Sequence, residues 1–381
     1  MLNVLLGAGF SYDAGVPLVN GITPYFDRDL IGQLCRFSDS QWRWFEFQND
    51  AGKHNGRIYR DPEVYEFVLN ELITAFKQES GSFTSYEHFL SFLLTKDEAW
   101  FKQIGDQAKA ANRRVREERN IRMPQQDFWD LFDHYQVSIV FDIINYLVAD
   151  CLRWDSTIEI ESHPSYLAFT NFIKHYDEIN IFTLNHDLLL EALLNRSGIE
   201  FSDGFSREGS DVLGSEKQPL PVFQNEFSTP LRIIKLHGSK DHFAFEVTRK
   251  EEYFSYRTGE RIYFKKDGYY DLHRCTRVDL DSGETIQDFN SSIVPQFLTG
   301  SLKEAFLKED CMYKELIQRY EDTLAMDADL LVVGYSFCDP HIDKVLQSAK
   351  PRKIYHVDPY VGYKFGEAHH FRYLHELDYS E

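Results

Sequence analysis

An apolar run, Leu2 to Leu6, breaks into Gly7-Ala8-Gly9-Phe10-Ser11-Tyr12-Asp13-Ala14-Gly15-Val16-Pro17, and no other stretch constrains this chain as strongly. A short apolar run bounded by glycine reads as a buried strand, the glycines as a tight turn, and the residues after them as a helix N-terminus. A doubly wound nucleotide-binding sheet opens in this way. Glycines let the backbone approach a phosphate, and the next helix turns unpaired N–H groups toward its charge. The dinucleotide fingerprint GxGxxG is not met, because Tyr12 stands at the third glycine position.

The same texture returns after Pro164. Strands are expected at Ile179–Thr183, Leu231–Leu236, Asp329–Val333 and Lys353–Val357, and helices at Tyr166–Tyr176, Asp187–Asn195, Tyr313–Met326 and His341–Ala349. Strands alternating with helices imply a parallel sheet, with ligands beyond the strands' carboxyl ends. Polar residues stand at those ends. Thr183-Leu184-Asn185-His186-Asp187 offers an amide for a ribose hydroxyl or a water, and a carboxylate that either caps the next helix or bonds a cofactor. Lys235-Leu236-His237-Gly238-Ser239 places a histidine, whose ordinary pKa is about 6.5, where a general base would stand. Gly334-Tyr335-Ser336-Phe337-Cys338-Asp339-Pro340-His341 supplies another glycine turn, and Asp358 a carboxylate of the kind that accepts from an adenosine ribose.

The expected fold is therefore α/β, a Rossmann-like doubly wound parallel sheet built from residues 1–22 and 160–381. Residues 23–159 read as a large helical insertion, from apolar residues at helical spacing around Trp42–Phe47, Val64–Phe76, Ser85–Leu94 and Phe128–Trp154. Alternating aromatic and polar residues at about 242–290, with turn signals at Thr258-Gly259, Asp267-Gly268 and Ser282-Gly283, read as added β-hairpins. Within the insertion, Lys102 to Arg122 is a basic segment.

Charge and cysteine content exclude several classes. With 61 acidic and 41 basic residues, a net charge of −20, the composition disfavours a general nucleic-acid or anionic-membrane binder, which needs clustered Lys and Arg. The five cysteines never take CxxC spacing, so neither a disulfide framework nor a four-cysteine zinc site is expected, and His273/Cys275 and His369/His370 read as surface pairs. No signal peptide or membrane span is visible, and a cytoplasmic location is expected.

The order of the motifs carries a resemblance. Gly7-Ala8-Gly9-Phe10-Ser11 with Gly15-Val16-Pro17, then Thr183-Leu184-Asn185-His186-Asp187, then Leu236-His237-Gly238-Ser239, then Val333-Gly334-Tyr335-Ser336, resembles the sirtuin family. Its members bind NAD and cleave the bond between nicotinamide and ribose. The likeness is greatest to the NAD-consuming, sirtuin-like effectors of bacterial antiphage defence, some of them encoded beside a HerA-type ATPase. Ser85-Tyr86-Glu87-His88-Phe89, Ser202-Asp203-Gly204-Phe205 and Asp339-Pro340-His341 look like that branch as well. The resemblance implies that Asn185 holds the nicotinamide ribose or the attacking water and that His237 acts on a ribose hydroxyl or that water. It implies too that the Gly7–Ser11 turn cradles the phosphates, with Gly15, Pro17, Thr183, Asp187, Gly238, Gly334, Tyr335, Ser336 and Asp358 completing the NAD site.

Two departures matter. Leu18-Val19-Asn20 follows Pro17 where deacylating sirtuins have Asp-Phe-Arg, and their four zinc cysteines are absent. The leading expectation is thus a metal-independent NAD glycohydrolase, in a homo-oligomer paired with an ATPase. A sirtuin-type protein deacylase and a nucleotide-sensing subunit of an ATPase or nuclease complex are the alternatives.

Overall fold

The computed structural model describes residues 1–37, 41–47, 58–59, 63–118, 136–214, 217–251, 254–266, 275–288, 294–298 and 310–377. The strands run in chain order. β1 is Leu2–Leu6; β2 Leu34–Phe37, β3 Trp42–Trp44 and β4 Ile58–Tyr59 form a small sheet; β5 is Ile179–Thr183. β6 Gly204–Ser206, β7 Val212–Leu213 and β8 Val222–Glu226 precede β9, Leu231–Lys235. Then come β10 His242–Glu251, β11 Phe254–Lys265, β12 Thr276–Val278 and β13 Thr285–Asp288, and finally β14 Asp329–Val333, β15 Ile354–Val357 and β16 His369–Phe371.

Six of these strands make one parallel sheet in the order β16-β15-β14-β1-β5-β9. The chain starts at the centre, moves outward through β5 to β9, then returns to the other side of β1 for β14 to β16. This is the dinucleotide-binding strand order, with its switch point between β1 and β14. β1 and β5 are buried along their whole length, as strands covered on both faces must be. Leu2, Val4 and Leu6 face one apolar layer with helix Pro164–Ile173, and Leu5 faces the other with helices Cys311–Leu324 and Pro340–Ser348.

Register is pinned by a polar ladder inside the sheet. Asn3, Asn180 and Arg232 are opposed across β1, β5 and β9. Asn180 donates to Asn3 Oδ1 at 3.1 Å, Arg232 donates to Asn180 Oδ1 at 3.2 Å, and Asn3 donates to the Thr323 carbonyl at 3.3 Å. Buried amides that satisfy one another reward a single register, since a slip would orphan all three.

The insertion has its own core, formed by helices Glu63–Ser80, Tyr86–Leu94, Glu98–Glu118 and Gln136–Cys151 with Phe26, Trp44 and Leu34. The helical reading of Trp42–Phe47 fails there. Trp42 and Trp44 alternate around Arg43, a period of two, and Trp42–Trp44 is β3 of the three-stranded sheet, with only Phe45–Phe47 in a 3-10 turn. Phe128–Tyr135 and Arg119–Arg122 lie outside the described residues.

Other expectations are corrected in detail. The opening turn leads into a 3-10 helix, Ala8–Ala14, and the α-helix begins only at Val19. The β10–β11 hairpin forms, but Thr258-Gly259 lies inside β11, where the register shifts between Glu246 and Thr248. Asp267-Gly268 falls outside the described residues, whereas Ser282-Gly283 does turn between β12 and β13, with Gly283 at φ 73°. β15 is not the last strand, because His369–Phe371 adds β16 beside it.

Candidate functional site

The polar strand ends line one edge of the sheet. From Asp358, after β15, to His237, after β9, the edge crosses four strand spacings, about 19 Å in all.

At the switch point the two glycine turns are locked together. The Gly9 amide donates to the Gly334 carbonyl at 3.0 Å, and a Cβ on Gly7 would stand 2.4 Å from that carbonyl oxygen. Gly334 takes φ 58°, and a Cβ there would meet the Gly9 Cα at 2.5 Å. These glycines are thus required by a chain crossing. The N–H groups of Gly7, Gly9 and Phe10 are donated to the carbonyls of Val333, Gly334 and Gly7, so exposed Ala8 and Gly9 form the rim. The Phe10 ring turns inward against Tyr166 and Phe169, and Gly15, at φ 81°, ends the 3-10 turn beside Asp155. Pro17 lies in the loop to helix Val19–Phe26.

Asn185 is nearly buried after β5. Its Nδ2 donates to Ser11 Oγ at 3.1 Å, and its backbone N–H to Thr183 Oγ1 at 3.1 Å. This joins the first motif to the second and leaves the Asn185 carbonyl oxygen to accept from a hydroxyl or a water. Asp187 turns toward the next helix rather than capping it, its Oδ1 accepting from the Leu189 N–H at 2.9 Å one residue ahead of the N-cap Leu188. Lys235, buried at the end of β9, clamps the same loop by donating to the Asp187 carbonyl at 2.5 Å and pairing with Glu191 at 2.9 Å.

His237 is 3 % exposed, and its Nε2 stands 3.2 Å from Asp339 Oδ2. The His186 ring lies 6.4 Å from that of His237 and stacks on Phe297 at 4.9 Å. Gly238, at φ 79°, has no room for a side chain, since a Cβ would meet the Gln296 carbonyl oxygen at 2.3 Å. Asp339 also caps the next helix: Oδ1 accepts from the His341 and Ile342 N–H groups at 3.1 and 3.4 Å, while Oδ2 faces the histidine.

Residues 179–360 match the SIR2-like domain. Among solved structures the chain is similar to a Sir2 homologue in complex with NAD, at 12 % identity over 99 % of this chain and 85 % of that one, with a TM-score of 0.35. It is also similar to a serine-to-alanine mutant of a Sir2 homologue bound to ADP-ribose, at 11 % identity, 94 % and 80 % coverage and a TM-score of 0.32. A search of curated proteins finds no match. At these identities the site rests on its own geometry.

The remaining expected residues divide. Ser336 is exposed beside Gly334, whereas the Tyr335 side chain is buried, with its hydroxyl 2.9 Å from Asp343 Oδ1. Asp358 folds back, its Oδ1 accepting from the Tyr360 and Val361 N–H groups at 2.8 Å each. His369 and His370 are exposed, as expected, with His370 of β16 contacting buried His356 of β15, whereas Cys275, expected at the surface, is buried. Burial, with His370 beside it, pushes the His356 imidazole down to about 4. Among the described residues no group of three or more His, Cys, Asp or Glu is placed to hold a metal ion, and no helix is long and apolar enough to cross a membrane.

Proposed function

We propose that the chain hydrolyses NAD to nicotinamide and ADP-ribose at the ends of β5 and β9. The observation that carries this reading is the pair of positioned groups there: Asn185 held by Ser11, and His237 facing Asp339.

The chemistry asks for little more. The bond between nicotinamide nitrogen and ribose C1′ breaks with its electron pair leaving on neutral nicotinamide, and a water adds to C1′ while giving up a proton. The positive charge that grows on the ribose needs an oriented sugar and a fixed electrostatic surrounding. Asn185 accepts from the water or a ribose hydroxyl. Asp339, whose Oδ2 stands 3.2 Å from His237 Nε2, orients the imidazole that takes the proton from the nucleophile. The pyrophosphate would pass over the rim of Ala8, Gly9 and Ser336, and the adenosine toward β15.

The defence role, the homo-oligomer and the ATPase partner are proposed on the motif resemblance. The reading is tested by incubating the purified chain with NAD, with and without an acetyl-lysine peptide and a HerA-type ATPase, and identifying products by mass spectrometry. Nicotinamide with ADP-ribose, independent of peptide, is expected. O-acetyl-ADP-ribose formed only with peptide would replace hydrolysis by deacylation.

A further inference from the structure

A cavity of about 390 Å³ opens where the insertion rejoins the sheet, beside the catalytic loops but lined by neither Asn185 nor His237. Its described lining carries Arg43, Arg153, Arg196, Lys240 and Lys266 against only Asp150 and Asp241, in a chain whose net charge is −20. The arrangement is built. Buried Asp150 accepts from the Trp44 N–H at 3.0 Å, contacts Arg43 at 3.4 Å and closely pairs with Arg153, so one carboxylate orients two guanidinium groups. Lys240 crosses from the sheet, donating through Nζ to the Leu152 carbonyl, and lies 5.9 Å over the Trp154 ring.

Arg196 pairs in addition with Glu161 at 3.2 Å, so among the described residues five cations face three carboxylates and the cluster keeps an excess of positive charge. Burial holds the Lys240 ammonium down to about 8, with Arg153 and Lys235 adding to the effect against Asp187. A nearby anion would relieve it. Guanidinium forks suit phosphate, and a half-buried indole offers a face for a ring to stack on. The volume lies within the range of small-molecule pockets.

The geometry points to a second ligand site in this cleft, one that takes a mononucleotide-sized phosphorylated ring compound, with phosphate on Arg43, Arg153 and Lys240 and the ring on Trp154. Its floor touches the catalytic loops: Leu188 is next to Asp187, and the Lys240 N–H donates to the His186 carbonyl at 3.0 Å. The assignment does not depend on which reaction the strand edge carries out.

Calorimetric titration of the full chain at low salt, with inorganic pyrophosphate and separately with AMP, tests it. Both probes are expected to bind, and the double variant Arg196→Gln/Lys266→Gln at the rim to weaken both by about tenfold or more. Trp154→Ala should weaken AMP alone, and Asn185→Ala neither. Lys240→Met, checked for folding by thermal melting, is a second route to the same loss. No binding, or binding that Asn185→Ala abolishes while the rim variant keeps it, would overturn the site. Equal weakening of both probes by Trp154→Ala would remove the ring-stacking assignment.

Discussion

The Asp339 side chain serves two groups at once, one oxygen capping helix Pro340–Ser348 and the other facing His237. Asp339→Asn keeps a carbonyl for the cap but removes the negative charge 3.2 Å from His237 Nε2, which on the proposed reading orients the base. Nicotinamide release should fall by about 10² or more with the melting temperature nearly unchanged, and the acid limb of the pH–rate profile should move. A variant that melts earlier but keeps its rate and pH profile would make Asp339 purely structural. Asn185 and His237 were legible because each comes directly after an apolar run. Asp339 was not, since its contact joins segments far apart in sequence that no periodicity links.

At the scale of elements, the six-stranded sheet rests on positions where side chains cannot vary. Asn180→Ala would leave Asn3 and Arg232 without a partner inside the sheet, and urea unfolding should show a loss of about 1–3 kcal/mol. The β15–β16 pair adds a pH term. His356 has its pKa depressed in the fold to about 4, against an unfolded value near 6.5, so the unfolded chain binds more protons between those values. Stability is therefore complete above about 6.5 and is lost as pH falls toward 4. Melting curves from pH 7 to 5 should show a smaller drop for His356→Leu than for the natural chain, and equal drops would contradict this.

Elements with long apolar runs and alternating strand–helix order were readable. β2–β4, β16 and the 3-10 turn were not, because strands of two to four residues and a turn without helical spacing carry too little pattern. The aromatic density that suggested a helix at Trp42–Trp44 belongs to a strand whose ring contacts reach Phe26, Tyr25 and Tyr65.

On the scale of the whole molecule, the insertion is coupled to the sheet. Phe297, which stacks on His186, belongs to the insertion's apolar core, and the Asp155 N–H donates to the Ala14 carbonyl at 2.8 Å. Under the proposed NAD hydrolysis the activity must be held in check, and an insertion bearing on the loops of His186 and His237 is a route for an assembled partner to act. On the proposed reading, light scattering should show a homo-oligomer whose nicotinamide release changes when a HerA-type ATPase is added. A strict monomer, indifferent to that protein, would remove this proposal. The central claim is tested most directly by nicotinamide release from NAD by the natural chain, Asn185→Ala and His237→Ala, each shown folded and each assayed with the ATPase present. The natural chain should release nicotinamide and both variants should lose about 10² to 10⁴ in rate; no release by the natural chain, or full release by either variant, would contradict the account.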